Sequence, residues 1–96
     1  MLKIKVEKGF AKDIERDKNS GNYKSADFEL LKVIIGKLEN LEDIELKYKR
    51  HALKGDMDGL ECIHIKSDWL LIFTADDEFL TLVMLGKHTQ VYKKFK

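Results

Sequence analysis

Residues 60 to 85 carry three apolar runs, LECIHI, WLLIFT and FLTLVML, separated by links of only a few residues. A parallel return would need a crossover of a dozen or more residues, so runs this close together must be antiparallel neighbours in one sheet. WLLIFT and FLTLVML are apolar on both of their faces, which places them centrally in that sheet. LECIHI alternates. Its Glu61, Ile63 and Ile65 share one face, and Leu60, Cys62 and His64 share the other.

The rest of the chain must cover this sheet. LKIKVEK alternates with period two, with Leu2, Ile4 and Val6 on one side and lysines on the other, and reads as a half-buried strand. FAKDIERDKN sets Phe10 and Ile14 one helical turn apart, and NSGN stops that helix. Ser25 is placed to cap a second helix, with Asp27 and Glu29 in its first turn. Phe28, Leu31, Ile34, Ile35, Leu38 and Leu41 form its apolar stripe, and the helix ends near ENLED. The expected architecture is α+β, in the order β-α-α-β-β-β, with two helices on one face of the sheet. At 96 residues the chain is a single domain, 1–96, with one modest core.

Composition excludes several classes. No segment is long and apolar enough to span a bilayer, and the charged, alternating first ten residues are not a signal peptide. A single cysteine gives no sign of an oxidising compartment, so the expected location is the cytoplasm. With 18 Lys plus Arg against 17 Asp plus Glu, bulk electrostatic coating of nucleic acid is not expected. Local basic clusters remain. KYKRHALK sets Lys47, Lys49, Arg50 and Lys54 around His51, and the tail YKKFK sets Lys93, Lys94 and Lys96 around two aromatics.

Titratable groups gather beside the apolar runs. If Ile63 and Ile65 face the helices, His64 points to the opposite, more open face of the sheet. Asp68 lies at the turn after that strand. His88 follows the last strand, after Gly86, which permits a sharp bend. His51 enters from the loop before the sheet. The topology therefore brings His51, His64, Asp68 and His88 toward one open face. Cys62 shares the face of His64 and with the histidines is able in principle to bind zinc, but no CxxC or HxxxH spacing supports a metal, and none is expected. Gly55 and Gly59 read as turn glycines, and Trp69 as a packing residue.

HALKG, thirteen residues from His51 to His64, then HIKSDW and LGKH, resemble the YafQ-type toxins of the RelE superfamily, the mRNA interferases of type II toxin–antitoxin systems. The resemblance covers nearly the whole chain. It implies a small twisted antiparallel sheet with two N-terminal helices packed on it. It also implies a ribosome-dependent endoribonuclease acting in the A site without a cofactor. His51, His64, Asp68 and His88 match the family's active-site positions, and Tyr92, four residues past His88, matches a family aromatic. The implied partners are mRNA on the ribosome and a DinJ-like, ribbon-helix-helix antitoxin, with operator DNA reached only through that antitoxin and no membrane.

Those residue types suit the chemistry. RNA is cut without metal when its 2′-hydroxyl attacks the adjacent phosphate. The reaction needs a base, an acid for the leaving 5′-oxygen and positive charge for the phosphorane. Histidines titrate near neutrality and supply both proton transfers. Asp68 serves as a base or orients an imidazole. Tyr92 stacks on a nucleobase. Lys47, Lys49, Arg50, Lys54 and Lys87 are the candidate RNA-binding cations.

The chain also departs from the family pattern. Met84 stands where an arginine is usual, two residues before Gly86. Glu61 and Met57 stand at usual basic and aromatic positions. If Met84 shares a cleft-facing side of its strand with Leu80 and Leu82, loss of the guanidinium costs roughly 3 kcal/mol at the phosphorane, about a hundredfold in rate. Two other readings stay open: a degenerate toxin that only binds its antitoxin and co-represses its operon, and a small metal-binding protein.

Overall fold

The computed structural model describes residues 1–94, so Phe95 and Lys96 of the basic tail lie outside the described residues, as does the side chain of Lys94. The strands are β1 (Lys3–Val6), β2 (His51–Ala52), β3 (Glu61–Lys66), β4 (Trp69–Ala75) and β5 (Phe79–Gly86), and the helices are α1 (Lys8–Ser20), α2 (Ser25–Glu39) and α3 (His88–Lys94). They form one sheet in the order β1-β5-β4-β3-β2. The three apolar runs are antiparallel neighbours at its centre, as their short links require. The sheet is mixed rather than wholly antiparallel, because β1 joins the far edge parallel to β5.

The helices follow their local signals, with two corrections. α1 stops at Gly21, whose φ of 76° is the left-handed conformation that glycine adopts without a Cβ penalty. α2 begins one residue earlier than a Ser25 cap would set it. Lys24 is the cap residue, and its N–H donates to Asp27 Oδ2 at 2.8 Å. At the other end Glu42 N–H donates to the Lys37 carbonyl at 2.8 Å, and Leu41 N–H to that of Leu38 at 3.2 Å. This terminating pair of bonds leaves Leu41 left-handed and pointing into solvent, so the buried stripe of α2 ends at Leu38.

Alternation along β3 divides the interior. Ile63 and Ile65 join Leu31, Ile34 and Leu38 of α2 in a core between helices and sheet, together with Trp69, Leu71 and Phe73 of β4. Cys62 faces the other way, into a second cluster with Leu53, Met57, Leu70, Ile72, Met84 and Val91. The second face is therefore less open than alternation alone implies. The connection through residues 53–57 and the unexpected α3 seal part of it, because Val91 lies over the sheet and is fully buried. The end nearest His64 stays accessible.

Met84 does not share a face with Leu80 and Leu82. The β4–β5 register shifts between Ile72, opposite Met84, and Phe73, opposite Leu82, so Val83 is a bulge. A bulge inserts one extra residue and reverses the alternation beyond it. Leu80 and Leu82 face the helices, whereas Met84 packs into the second cluster and is 4% exposed. An arginine there would be a buried charge with no acidic partner in that cluster. Met84→Arg is expected to lose about 3 kcal/mol of stability, lowering Tm by more than roughly 10 °C in a domain of this size. An unchanged thermal melt would show that this face is not sealed.

Candidate active site

β2 is only two residues long and pairs with Glu61 and Cys62, so the last residues of β3 have no strand beside them on that side. A cleft of about 610 Å³ opens there, lined by Lys47, Tyr48, Lys49, Lys66, His64 and His88 among others. The left-handed turn at Lys49 (φ 50°) redirects the chain into β2. It also brings the Lys49 carbonyl within 2.8 Å of His51 Nδ1. A carbonyl only accepts, so Nδ1 carries a proton and Nε2 is the ring nitrogen left to meet a substrate.

Three imidazoles lie in a row. The ring centroids of His51 and His64 are 5.6 Å apart, as are those of His64 and His88. Tyr92, one turn further along α3, lies 6.1 Å from His88 with the rings inclined by 25°. Asp68 Oδ1 accepts from His88 N–H at 2.8 Å and from its Nδ1 at 2.6 Å. One carboxylate thus caps the start of α3 and fixes the tautomer of its first residue, directing Nε2 away from the pair. The backbone N–H of His88, then its ring, hold the Asp68 carboxyl below the usual range. Burial pushes the His64 imidazole below its ordinary 6.5, and the charges of His51, His88 and Lys49 push it the same way. His64 therefore stays neutral further into acid than an ordinary histidine.

The basic residues divide. Lys47 and Lys49 line the cleft, with Lys47 Nζ also 3.7 Å from Glu45. Arg50 does not line it. It precedes His51 and turns to the other face, where it meets Glu61 at 2.8 and 3.3 Å and lies over the Phe73 ring. Lys54 starts the short turn over residues 55–57 and is not among the cleft residues. Lys87 borders a neighbouring hollow beside Asp68 and Tyr23. Lys66, a cleft cation that sequence reasoning missed, follows His64 by two residues. The register shift between His64 and Lys66 hides it from simple alternation, and its Nζ meets Asp27 of α2 at 3.3 Å.

A second missed group holds the site in place. On α1, Asp13, Arg16 and Asp17 lie at helical spacing on one face. Arg16 donates to Asp13 Oδ1 at 2.8 Å and to both Asp17 oxygens at 3.0 and 3.1 Å. Asp13 Oδ2 accepts from Leu85 N–H at 3.0 Å, and Arg16 Nη2 donates to the Leu85 carbonyl at 2.8 Å. β1 has ended by this level, so two side chains complete the edge of β5 where a strand would. Asp17, only 4% exposed, accepts from Trp69 Nε1 at 2.8 Å, and that indole stacks on Tyr23 at 4.2 Å. The cluster thereby fixes both the residue after Asp68 and the strand end before His88. Gly86 serves this packing rather than a bend. A Cβ there would meet Gln90 Oε1 at 2.8 Å, and that oxygen accepts from Lys87 N–H.

Cys62 lies directly across the ladder from His51. The Sγ of Cys62 and one ring nitrogen each of His51 and His64 all fall within 4.8 Å of one another. Spacing along the chain does not reveal this grouping, because it is made across strands. Among the described residues no helix is long and apolar enough to cross a membrane.

A family model described as "Bacterial toxin of type II toxin-antitoxin system, YafQ" matches residues 2–93. The mRNA interferase toxin YafQ of Escherichia coli (strain K12) is 29% identical over 55 residues, 57% of this chain and 60% of that protein. The sequence match thus spans less than two thirds of that relative's length. A metal-bound toxin from Helicobacter pylori is similar in structure, with a TM-score of 0.84 and 32% identity over 95% of this chain and 99% of that one. The structure of the E. coli DinJ-YafQ toxin-antitoxin complex contains a chain similar at a TM-score of 0.79 and 25% identity, covering 95% of this chain and 97% of that one. With the family model matched from near one end of the chain to the other, the chain belongs to the YafQ family of bacterial type II toxin–antitoxin toxins.

Proposed function

We propose that this chain is an mRNA interferase: a ribosome-dependent endoribonuclease that cuts mRNA in the A site by metal-independent acid–base chemistry. A DinJ-like antitoxin restrains it. The row of three imidazoles, with Asp68 bound to the outermost, carries the reading. The activity named for the E. coli relative and the partner in the DinJ-YafQ complex support it.

His64 has the role of base. It stays neutral at pH 7, lies at the centre of the row, and accepts the 2′-proton as that oxygen attacks the phosphate. The flanking imidazoles are the candidate proton donors to the departing 5′-oxygen. Asp68 holds His88 in one tautomer and orientation, and Lys49 does the same for His51 through its carbonyl. Lys47 and Lys49 place positive charge along the cleft for the phosphate backbone, and Lys66 borders it while paired with Asp27. Tyr92, 40% exposed beside His88, offers a ring for a nucleobase.

Two observations favour a weaker enzyme than relatives that keep the β5 arginine. Met84 is buried, and Arg50 is engaged by Glu61, so neither supplies a guanidinium to the cleft. Lysine is a point charge and lacks the bidentate fork. The second reading, an antitoxin-binding module without useful nuclease activity, draws on the same two observations.

Three results check the proposal. Induction without the antitoxin should arrest growth, and His64→Ala or His88→Ala should relieve the arrest while still co-purifying with the antitoxin. Each lost proton transfer should cost on the order of 10²- to 10⁴-fold in single-turnover cleavage on programmed ribosomes. Retained toxicity in both variants would remove the catalytic assignment. The rate should also fall as pH drops through the His64 pKa, which lies below 6.5. A protonated base cannot accept the 2′-proton, so the acid limb of the pH profile should begin below the ordinary histidine range. An acid limb starting above 6.5 would exclude His64 as that base.

A further inference from the structure

The linker between α1 and α2, residues 21–24, has no part in the proposed chemistry, yet it comes down beside Asp68. Gly21 ends α1, and the backbone that follows is pinned on both sides. Asn22 N–H donates to Ser20 Oγ at 3.1 Å, and Lys24 N–H donates to Asp27 Oδ2 at 2.8 Å. Between these bonds Tyr23 lays its ring on the Trp69 indole, inclined by 18°, and packs nearly at right angles to Phe28. Trp69 is fully buried, whereas Tyr23 is only partly covered. Tyr23 borders a hollow of about 310 Å³, with Asn22, Lys66, Ser67, Asp68 and Lys87 around it.

We propose that this hollow is a nucleobase subsite that reads the mRNA at one position beside the cut. The claim rests on the nuclease reading above and extends it from the phosphate to the sequence. Lys66 and Ser67 line both the cleft and the hollow, so a strand with its phosphate at His64 and His88 reaches Tyr23 across the β3–β4 turn. Tyr92 stands beside His88 on the α3 side, and Tyr23 stands by Asp68 on the other. The Asp68–His88 pair therefore has an aromatic ring on each flank. Single-stranded RNA is recognised by splaying its bases onto such rings while polar groups read their edges.

The groups around the ring suit a base better than a phosphate. Lys66 is paired with Asp27 at 3.3 Å, and the Asp68 carboxylate offsets the Lys87 ammonium, so little net charge is left for an anion. Donors and acceptors instead stand side by side. Lys87 donates, and the Asn22 amide and Ser67 hydroxyl do both. Both bonds from His88 go to Asp68 Oδ1, which leaves Oδ2 to accept. The Tyr23 phenol is raised above its ordinary range by burial and then by the charges of Asp17 and Asp68, so it stays protonated and adds a donor. Stacking tolerates any base, whereas a mixed polar rim discriminates among their edges. Tyr23 thus supplies affinity, and the rim supplies choice.

The test is single-turnover cleavage, on programmed ribosomes, of messages that vary each base beside the mapped cut in turn. Wild type should prefer particular bases at one flanking position. Asn22→Ala and Lys87→Ala, both at exposed positions, should level that preference and leave those at other positions in place. Tyr23→Leu should slow cleavage roughly tenfold whatever the base there, and Tyr23→Phe, which keeps the stack on Trp69, should retain most of the rate. If Tyr23→Leu fails to fold, the two exposed variants still decide. No preference beside the cut in wild type, or a preference unchanged in both exposed variants, would overturn the subsite. Weaker ribosome binding in those variants, with base preference intact, would also overturn it and give the hollow to ribosomal RNA. If wild type cleaves no message, the nuclease reading has failed instead, and amide NMR of the same protein titrated with short single-stranded oligoribonucleotides decides the hollow. Shifts at Asn22, Tyr23 and Ser67 would support a base there, and their absence would overturn it.

Discussion

Burial of the central sheet on both faces governs where chemistry is possible in this fold. β4 is sealed by the helices on one side and by the second cluster on the other, so its interior positions have no route to solvent. Only strand ends and the edge beside β2 remain. The cleft forms there because β2 pairs with Glu61 and Cys62 and then leaves, exposing the end of β3. His64 is the last residue of β3 that still points to the second face before the register shifts ahead of Lys66. Its half-buried position follows from standing at that boundary, and its lowered pKa follows from the position.

A site built at strand ends needs something to fix those ends, because backbone beyond a ladder has fewer bonds to hold it. The Asp13–Arg16–Asp17 cluster meets that need from α1. It occupies both hydrogen-bonding groups of Leu85 and the indole nitrogen of Trp69. Every polar atom in the cluster has a partner, which is the condition under which a partly buried ionic group rigidifies rather than destabilises. Asp68 and His88 are adjacent to these fixed points, and their own short hydrogen bonds complete the arrangement. The Arg16 guanidinium, paired by two carboxylates, is held more firmly protonated than an ordinary arginine.

Much of this was legible in the sequence, for physical reasons that differ by element. The three apolar runs could pack in only one way, because their links are too short for anything but antiparallel pairing. The faces of Cys62, Ile63, His64 and Ile65 followed from period two. Met84 was misplaced by the same rule, since a bulge at Val83 leaves no mark in the pattern of apolar residues. α3 was missed because its first residue was treated as a loop histidine and its buried side chain, Val91, stands alone among polar neighbours. Arg50 looked like a cleft cation by proximity to His51, but adjacent residues on a strand point to opposite faces. The clamp on α1 and the His51–Cys62 approach join residues distant along the chain, and no local spacing announces either.

The account centres on an RNA phosphate cut by imidazoles using the substrate's own 2′-hydroxyl. The most direct measurement is the chemistry of the cut ends, using purified protein and programmed ribosomes, with an mRNA that carries a single 2′-deoxynucleotide at the mapped cleavage position. The account predicts a 2′,3′-cyclic phosphate and a 5′-hydroxyl from the all-ribose message, and no cut at the deoxy position. A 5′-phosphate product, or equal cleavage of the deoxy-substituted message, would contradict it, because water rather than the 2′-oxygen would then be the nucleophile.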